Sequence, residues 1–280
     1  MGDRNMKKLT LIITILACTF TVGCTKKVVQ KPESLKDAYF DIAQKIKNQE
    51  DVRINEVNKL LEGYTPKQEE LNQDSSYNNA AVQLYSFTNE KEKLMISDDG
   101  TEDEKVADLA YFKEDGLNSI TLGYGTSSNS TELLLLATVD DINVYEKICE
   151  LVNSKESTFS NNYHEISQNI ATENTITIDD VKNMINLEPT SEDSLDSATS
   201  KEITRYSFQV EDGGEVIAVY TLKDSENISR VTYGSNGTIW VIKNTIRGEL
   251  LTNGGPTIAD VQGDVDDISI QKEIETLIFD

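Results

Sequence analysis

The chain holds one histidine, His164, and three cysteines, and this scarcity limits the chemistry open to it. A serine–histidine–carboxylate relay needs a histidine beside its nucleophile. His164 instead adjoins Tyr163 in a segment of helical apolar spacing, so it reads as a partly exposed helix residue. A zinc site takes three or four nitrogen or sulfur ligands, which one histidine and the cysteine left after processing cannot supply. The tetrapeptide SIQK, Ser269–Lys272, has the S-x-x-K spacing of a lysine-assisted acylated serine, and SEN at Ser225 imitates a second element of such sites. No K-T-G follows, the order of the two elements is reversed, and an internal repeat matches Ser269 and Lys272 to Asn143 and Glu146. The spacing is therefore read as coincidence. GYGTSS from Gly123 lacks a third glycine and follows a strand without opening a helix, which excludes a nucleotide loop. The acidic runs SDDGTEDE (Ser97–Glu104) and DVQGDVDD (Asp260–Asp267) offer carboxylates to calcium, but neither has the ordered ligand spacing of a twelve-residue loop closed by glutamate. They read as solvated loop tips, with Asp266 and Asp267 placed as the negative start of a helix. No metal and no cofactor is expected, and the chain reads as non-enzymatic.

The N-terminus points to export. MKKLTLIITILACTFTVGC, Met6–Cys24, joins a basic start to an apolar run and a closing cysteine. The run Leu9–Val22 is short of the roughly 20 apolar residues that cross a bilayer. It resembles a lipoprotein signal, with residues 1–23 removed, Cys24 carrying the lipid and residues 24–33 forming a linker. Thr21 departs from the aliphatic residue usual three places before that cysteine. Cys18, after ILA, is the alternative lipid site, and an ordinary cleaved signal peptide is another reading. Removal of residues 1–23 leaves 23 basic and 48 acidic residues, a net charge of −25. Such a surface repels nucleic acid and anionic headgroups, so neither is expected as a partner. Only Cys149 would remain, which excludes an internal disulfide and leaves stability to packing. Cys149 lies on the apolar stripe of its segment and reads as a small buried hydrophobe.

The chain repeats itself. DDINVYEKICELV, Asp140–Val152, returns as DDISIQKEIETLI, Asp266–Ile278, 126 residues later. DAYFDIAQKIKNQEDVRINEVNKLL, Asp37–Leu61, lies over NNYHEISQNIATENTITIDDVKNMI, Asn161–Ile185, at a constant shift of 124. Apolar residues three and four apart in both segments predict paired amphipathic helices, and Thr177 with Asp180 predicts a capping-box start for one of them. Four alternating segments follow in each copy: LYSFT against RYSFQ, VADLAYFK against VIAVYTLK, TLGYG against RVTYG, and ELLLLATV against TIWVIKN. In this alignment copy one carries eleven extra residues before its second strand, and copy two an insert near RGELLTNGGPTIADVQG. The expected architecture is α+β: two tandem repeats, 34–155 and 156–280, each a helix-loop-helix on a four-stranded antiparallel sheet, plus a closing helix.

The stretches VRINEVNKLLEGYTP (Val52–Pro66) and ITIDDVKNMINLEP (Ile176–Pro189), with strand openings at Tyr85 and Tyr206, resemble the beta-lactamase-inhibitor-protein-like family. Single-copy outer-membrane assembly lipoproteins of the SmpA/OmlA type share the related motif. The chain has LLEGYTP and INLEP where the family has Leu-Gly before proline, lacks the inhibitor's disulfides, and adds the closing helix. The resemblance implies a non-enzymatic module that binds protein through an open sheet face.

If Tyr85, Phe87, Tyr206 and Phe208 point under the helices, their neighbours point away. Copy two would then show Arg205, Tyr220 and Arg230, with Trp240 on the adjoining strand, where copy one shows Leu84, Asp108 and Thr121. Tyrosine, tryptophan and arginine are the residues most enriched at interface hot spots. Core positions for Tyr220 and Trp240 are the alternative. The expectation is an extracytoplasmic lipoprotein, lipid-anchored to the bacterial cell membrane, that binds a protein or peptide; the alternative is an envelope lipoprotein that senses or assembles around a small molecule or glycan.

Overall fold

Each half of the chain opens with two helices started by their flanking residues. The structure, a computed structural model, describes residues 34–71, 82–125, 132–152, 157–196, 201–210, 214–236, 240–250, 256–265 and 267–280. Helix α1 (Leu35–Lys47) begins at Ser34, whose Oγ accepts the Asp37 N–H at 3.0 Å. Helix α4 (Thr158–Ala171) begins at Ser157, which accepts from Ser160 at 2.9 Å. Such caps satisfy donors that have no partner inside the helix. The partners α2 (Ile54–Leu60) and α5 (Ile178–Ile185) start differently. Thr177 and Asp180 form the capping box that their spacing predicts, whereas Arg53 has no acceptor to offer and its N–H is taken by Glu56 at 3.3 Å. Helix α5 ends at Asn186 in the left-handed conformation, φ 57°, and the turn after α2 uses Gly63 at φ 108°. Asparagine tolerates this region better than other side chains, so Asn186 does the work of a capping glycine.

Six strands, not four, follow each helix pair. They are β1 (Lys67–Leu71), β2 (Val82–Thr88), β3 (Glu92–Asp98), β4 (Val106–Asp115), β5 (Asn118–Gly125) and β6 (Glu132–Val139), then β7 (Ser191–Asp196), β8 (Glu202–Gln209), β9 (Glu215–Leu222), β10 (Ile228–Asn236), β11 (Trp240–Ile246) and β12 (Ile258–Asp264). All join one antiparallel sheet of order β1-β2-β3-β4-β5-β6-β12-β11-β10-β9-β8-β7. The four strands missed in sequence have distinct reasons. KQEEL and SEDSLD (β1, β7) are polar edges without an apolar face, and β3 and β12 fell within segments read as insertions. Counted inward from the edges, β9 stands where β3 stands and β10 where β4 stands, so the expected match of β4 to β9 is one strand out of step.

The described residues form one compact unit with a mixed α+β architecture of six helices and twelve strands. The helices lie on one face. Helix α1 packs on β3 and β4, and α4 on β9, β10 and β11. Beneath them Phe87, Leu94, Tyr111, Phe208, Ile217 and Tyr233 are at most 2% exposed. As alternation predicts, Tyr85 and Phe87 belong to this core, and Tyr206 packs against it.

The closing helices α3 (Ile142–Val152) and α6 (Ile268–Phe279) bind the halves together. Each reaches across the middle of the sheet: α3 packs on β12 and α4, and α6 on β5, β6 and α1. Buried polar contacts fix both. The Tyr145 and Tyr163 hydroxyls share a hydrogen bond, and Tyr163 and Ser167 both meet Thr245 Oγ1. On the other side Tyr39 donates to Gln271 Oε1 at 3.0 Å. Glu275, fully buried on α6, accepts from Lys36 at 2.8 Å and Lys113 at 2.7 Å. Burial pulls the Lys36 amine down, and the hydrogen bond and charge of Glu275 outweigh it, for a net upward shift.

Truncating Glu275 strands two part-buried ammonium groups. A buried pair broken on one side typically costs several kcal/mol; partial exposure of both lysines lowers that to about 2–3 kcal/mol. Glu275→Ala is expected to lower the thermal midpoint by roughly 5–10 °C, and Glu275→Gln by less, in a calorimetric scan.

Candidate functional site

On the face turned away from the helices, the second half brings three of the four sequence-predicted site residues into one row. Asp193, Arg205, Tyr220, Arg230 and Ile246 stand directly opposite one another across β7, β8, β9, β10 and β11. With neighbouring strands about 4.8 Å apart, Asp193 to Arg230 spans about 14 Å. The Arg205 Nη2 donates to Asp193 Oδ2 at 2.7 Å, an ion pair that is more than a third exposed on both sides. The Arg230 guanidinium carbon lies 4.8 Å from the centroid of the Tyr220 ring, in cation–π range. Its Nε donates to Asn244 Oδ1 at 2.7 Å, and Asn244 Nδ2 donates to Asp260 Oδ1 at 2.5 Å.

Tyr220 is less open than its proposed role suggests. It is 9% exposed and belongs to a second apolar cluster with Ile203, Ala218 and Leu250, against which Leu222 and Ile246 pack. Leu250 comes from a short 3-10 turn after β11, Gly248–Leu250. The row therefore presents two half-buried arginines at the sides of a tyrosine whose ring is mostly covered. Trp240 opens β11 opposite Asn236. It sits six residues along the strand from Ile246, roughly 20 Å from the row, and its side chain lies outside the described residues. Cys24, Cys18 and Asp266 also lie outside the described residues.

Asn244 and Asp260 were not foreseen as members of this site. Asp260 sits on β12, the strand read in sequence as part of an insertion. Burial raises its carboxyl above the ordinary value near 3.8, against the Asn244 hydrogen bond and the charge of Arg230.

In the first half the corresponding face mixes apolar and polar residues, with Ser97 and Asp108 in the row of Leu84. Leu84 is 5% exposed, Met95 2% and Leu134 7%, and Thr121 is buried as well. Asp108 accepts from Ser97 Oγ at 3.3 Å.

The other residues with chemical potential have local roles. Ser269 Oγ donates to Asp267 Oδ1 at 2.6 Å in the first turn of α6, where Asp267 caps the helix. His164 is half-buried, its ring edge-on to Tyr163. Cys149 is buried, and burial pushes its thiol up to about 11, so it stays protonated. Asp98 and Asp99 turn their carboxylates onto nearby N–H groups, those of Gln83 and Gly100 for Asp98 and of Thr101 and Lys105 for Asp99. Among the described residues no group of three or more histidine, cysteine or acidic side chains could hold a metal ion, and no helix is long and apolar enough to cross a membrane. A groove of about 300 Å³ runs between α1 and α2, lined by Ile42, Val57 and Leu60 and rimmed by Lys45, Glu56 and Lys59. It is at the lower limit of ligand-pocket size and lies on the helical side.

Compared with protein-family models, curated proteins and solved structures, the chain finds no match.

A carboxyl with a raised folded-state pKa holds its proton more tightly when folded. Its contribution to stability therefore falls as pH rises from the unfolded value through the folded one. The difference in unfolding free energy between wild type and Asp260→Asn, from denaturant titrations between pH 3.5 and 6.5, is expected to decline with rising pH.

Proposed function

We propose that this chain is a non-catalytic binding module that recognises another protein through the sheet face bearing Arg205, Tyr220 and Arg230. The observation that carries the reading is the in-register row itself. Two arginines flank a tyrosine on an apolar bed, with no α-helix over them among the described residues and only the short Gly248–Leu250 turn against the tyrosine. Arginine and tyrosine are favoured at hot spots because they combine apolar area with directional hydrogen bonding. Their partners, the Asp193 carboxylate for Arg205 and the Asn244 amide for Arg230, are side chains on neighbouring strands, so a contacting group can compete for both guanidinium groups without unfolding the strands.

The module is proposed as a duplicated one, related to the beta-lactamase-inhibitor-protein-like pattern and extended by two strands per copy. The central pairing supports this. Leu136 on β6 stands opposite Gln262 on β12, and these two residues are 126 positions apart, the same shift that separates DDINVYEKICELV from DDISIQKEIETLI. A duplicated unit joined about a local two-fold would place equivalent residues opposite each other at the axis. The proposal continues outside the described residues: residues 1–23 are a lipoprotein signal, Cys24 is the lipidated residue, and the module hangs from the outer face of a bacterial cell membrane. A surface of net charge −25 keeps such a tethered module soluble and away from anionic headgroups.

The test is capture by cross-linking, with the soluble chain from Thr25 as bait. Losing two hot-spot arginines removes roughly 2 kcal/mol or more apiece. Arg205→Ala with Arg230→Ala is expected to weaken a captured partner at least tenfold while leaving the circular dichroism spectrum unchanged. Full retention of the partner by this variant removes the face from consideration. Mass spectrometry of the mature N-terminus checks Cys24, with an acylated Cys24 the expected outcome.

A further inference from the structure

Among the described residues the sheet is not closed, and it ends in two strands with a hydrogen-bonded neighbour on one side only, β1 and β7. An edge strand offers a row of N–H and C=O groups to any strand that can lie beside it. The two edges differ in what surrounds those groups. In β1, KQEEL, Lys67 is ion-paired with Glu69. Strand β7, SEDSLD, has no base and three acids, Glu192, Asp193 and Asp196, with Glu188 just before it. Asp193 is engaged by Arg205 and Glu188 by Lys182, while Glu192 is exposed.

Apolar surface accompanies this charge. Among the described residues three large apolar side chains are well exposed, and two belong here: Leu187 at 42% and Leu195 at 37%. Leu195 stands opposite Ile203, which stands opposite Leu222. It thus carries the apolar cluster around Tyr220 out to the margin of the sheet.

We infer that β7 is a docking edge for an extended, basic segment of another protein, added to the sheet as a further antiparallel or parallel strand. Backbone hydrogen bonds would supply the ladder, and alternate side chains the selection. Basic residues of the guest fall opposite Glu192 and its acidic neighbours, and an apolar residue falls against Leu195. Opposite charges facing across a strand pair stabilise it and like charges oppose it. The same rule argues against a second copy of this chain as the occupant, because β7 against β7 sets acid against acid and β1 brings two glutamates of its own. The acidic edge therefore discourages stacking between copies while remaining receptive to a basic guest. The docking edge turns on Glu192, Leu195 and the β7 backbone, and the row on Arg205, Tyr220 and Arg230, with Asp193 common to both.

The test uses the whole 280-residue chain and three labelled hexapeptides: alternating lysine and valine, alternating glutamate and valine, and alternating lysine and proline. The last keeps the charge but lacks half the amide donors and resists strand pairing. Fluorescence anisotropy is expected to show binding of the lysine–valine peptide at least tenfold tighter than either control, with slowed hydrogen exchange in residues 191–196. Glu192→Lys combined with Leu195→Lys, both exposed positions, is expected to weaken that peptide at least tenfold, and Arg230→Ala to leave it unchanged. No binding of the lysine–valine peptide, equal binding of the lysine–proline peptide, unchanged exchange in β7, or an unaffected double variant each overturns the inference.

Discussion

The pairing of β6 with β12 is the constraint on which the rest of the structure depends. Each half is an antiparallel meander whose strands find partners among their sequence neighbours, and among the described residues β6–β12 is the one strand pair that joins the two. It brings together residues 120 to 130 positions apart, so its loop-closure cost is met only once both meanders exist. Without it, β6 and β12 would both end as apolar edges, with Leu135, Ala137 and Val261 losing a neighbour on one side. The closing helices would also lose their seats, since α3 and α6 straddle this seam.

The interior beneath the helices is more polar than a simple hydrophobic count suggests, and the polar groups are concentrated where the halves meet. Tyr145, Tyr163, Ser167 and Thr245 satisfy one another, while Tyr39 donates to Gln271 Oε1 and, among the described residues, the buried Gln271 Nε2 has no partner. A buried hydroxyl without a partner is costly, so these contacts narrow the positions the helices can take more than they add net stability. Glu275 does the same with charge, tying α6 to α1 and β4 at once. Lys243 is the uneven member. It is 1% exposed, 5.3 Å from the Tyr233 ring centroid and 3.5 Å from Ser160 Oγ, and burial lowers its pKa.

Charge and shape divide the opposite face into two regions of different character. The first half carries Leu84, Met95 and Leu134 beside Ser97 and Asp108 and shows no arginine among the described residues, while the second interrupts its apolar bed with arginines held by Asp193 and by Asn244, which Asp260 in turn engages. Because the chain as a whole is strongly acidic, these arginines are conspicuous local exceptions, and each is kept in place by an acid or amide on a neighbouring strand. That arrangement orients both guanidinium groups, although among the described residues Arg205 Nε is buried without a hydrogen-bond partner.

The sequence by itself determined the helices, the inward set of aromatic strand residues and the scarcity of catalytic groups. Periodicity and capping act over a few residues: Ser34, Ser157 and the Thr177–Asp180 pair start helices wherever the chain goes, and one histidine is one histidine in any fold. It also contained the 126-residue echo between the segments that become α3 and α6. What only the tertiary structure decided was which strand stands beside which. KQEEL and SEDSLD become strands because a neighbour supplies hydrogen bonds, not because their side chains demand it. IADVQGD lies at the centre of the sheet because β6 and α3 cover it, and this placement brings Asp260 to Asn244 and Arg230. Tyr220 was legible as a residue facing away from the helices. That its ring would lie under Leu250 depended on a turn arriving from more than twenty residues further along the chain, and such non-local packing leaves no mark in local spacing.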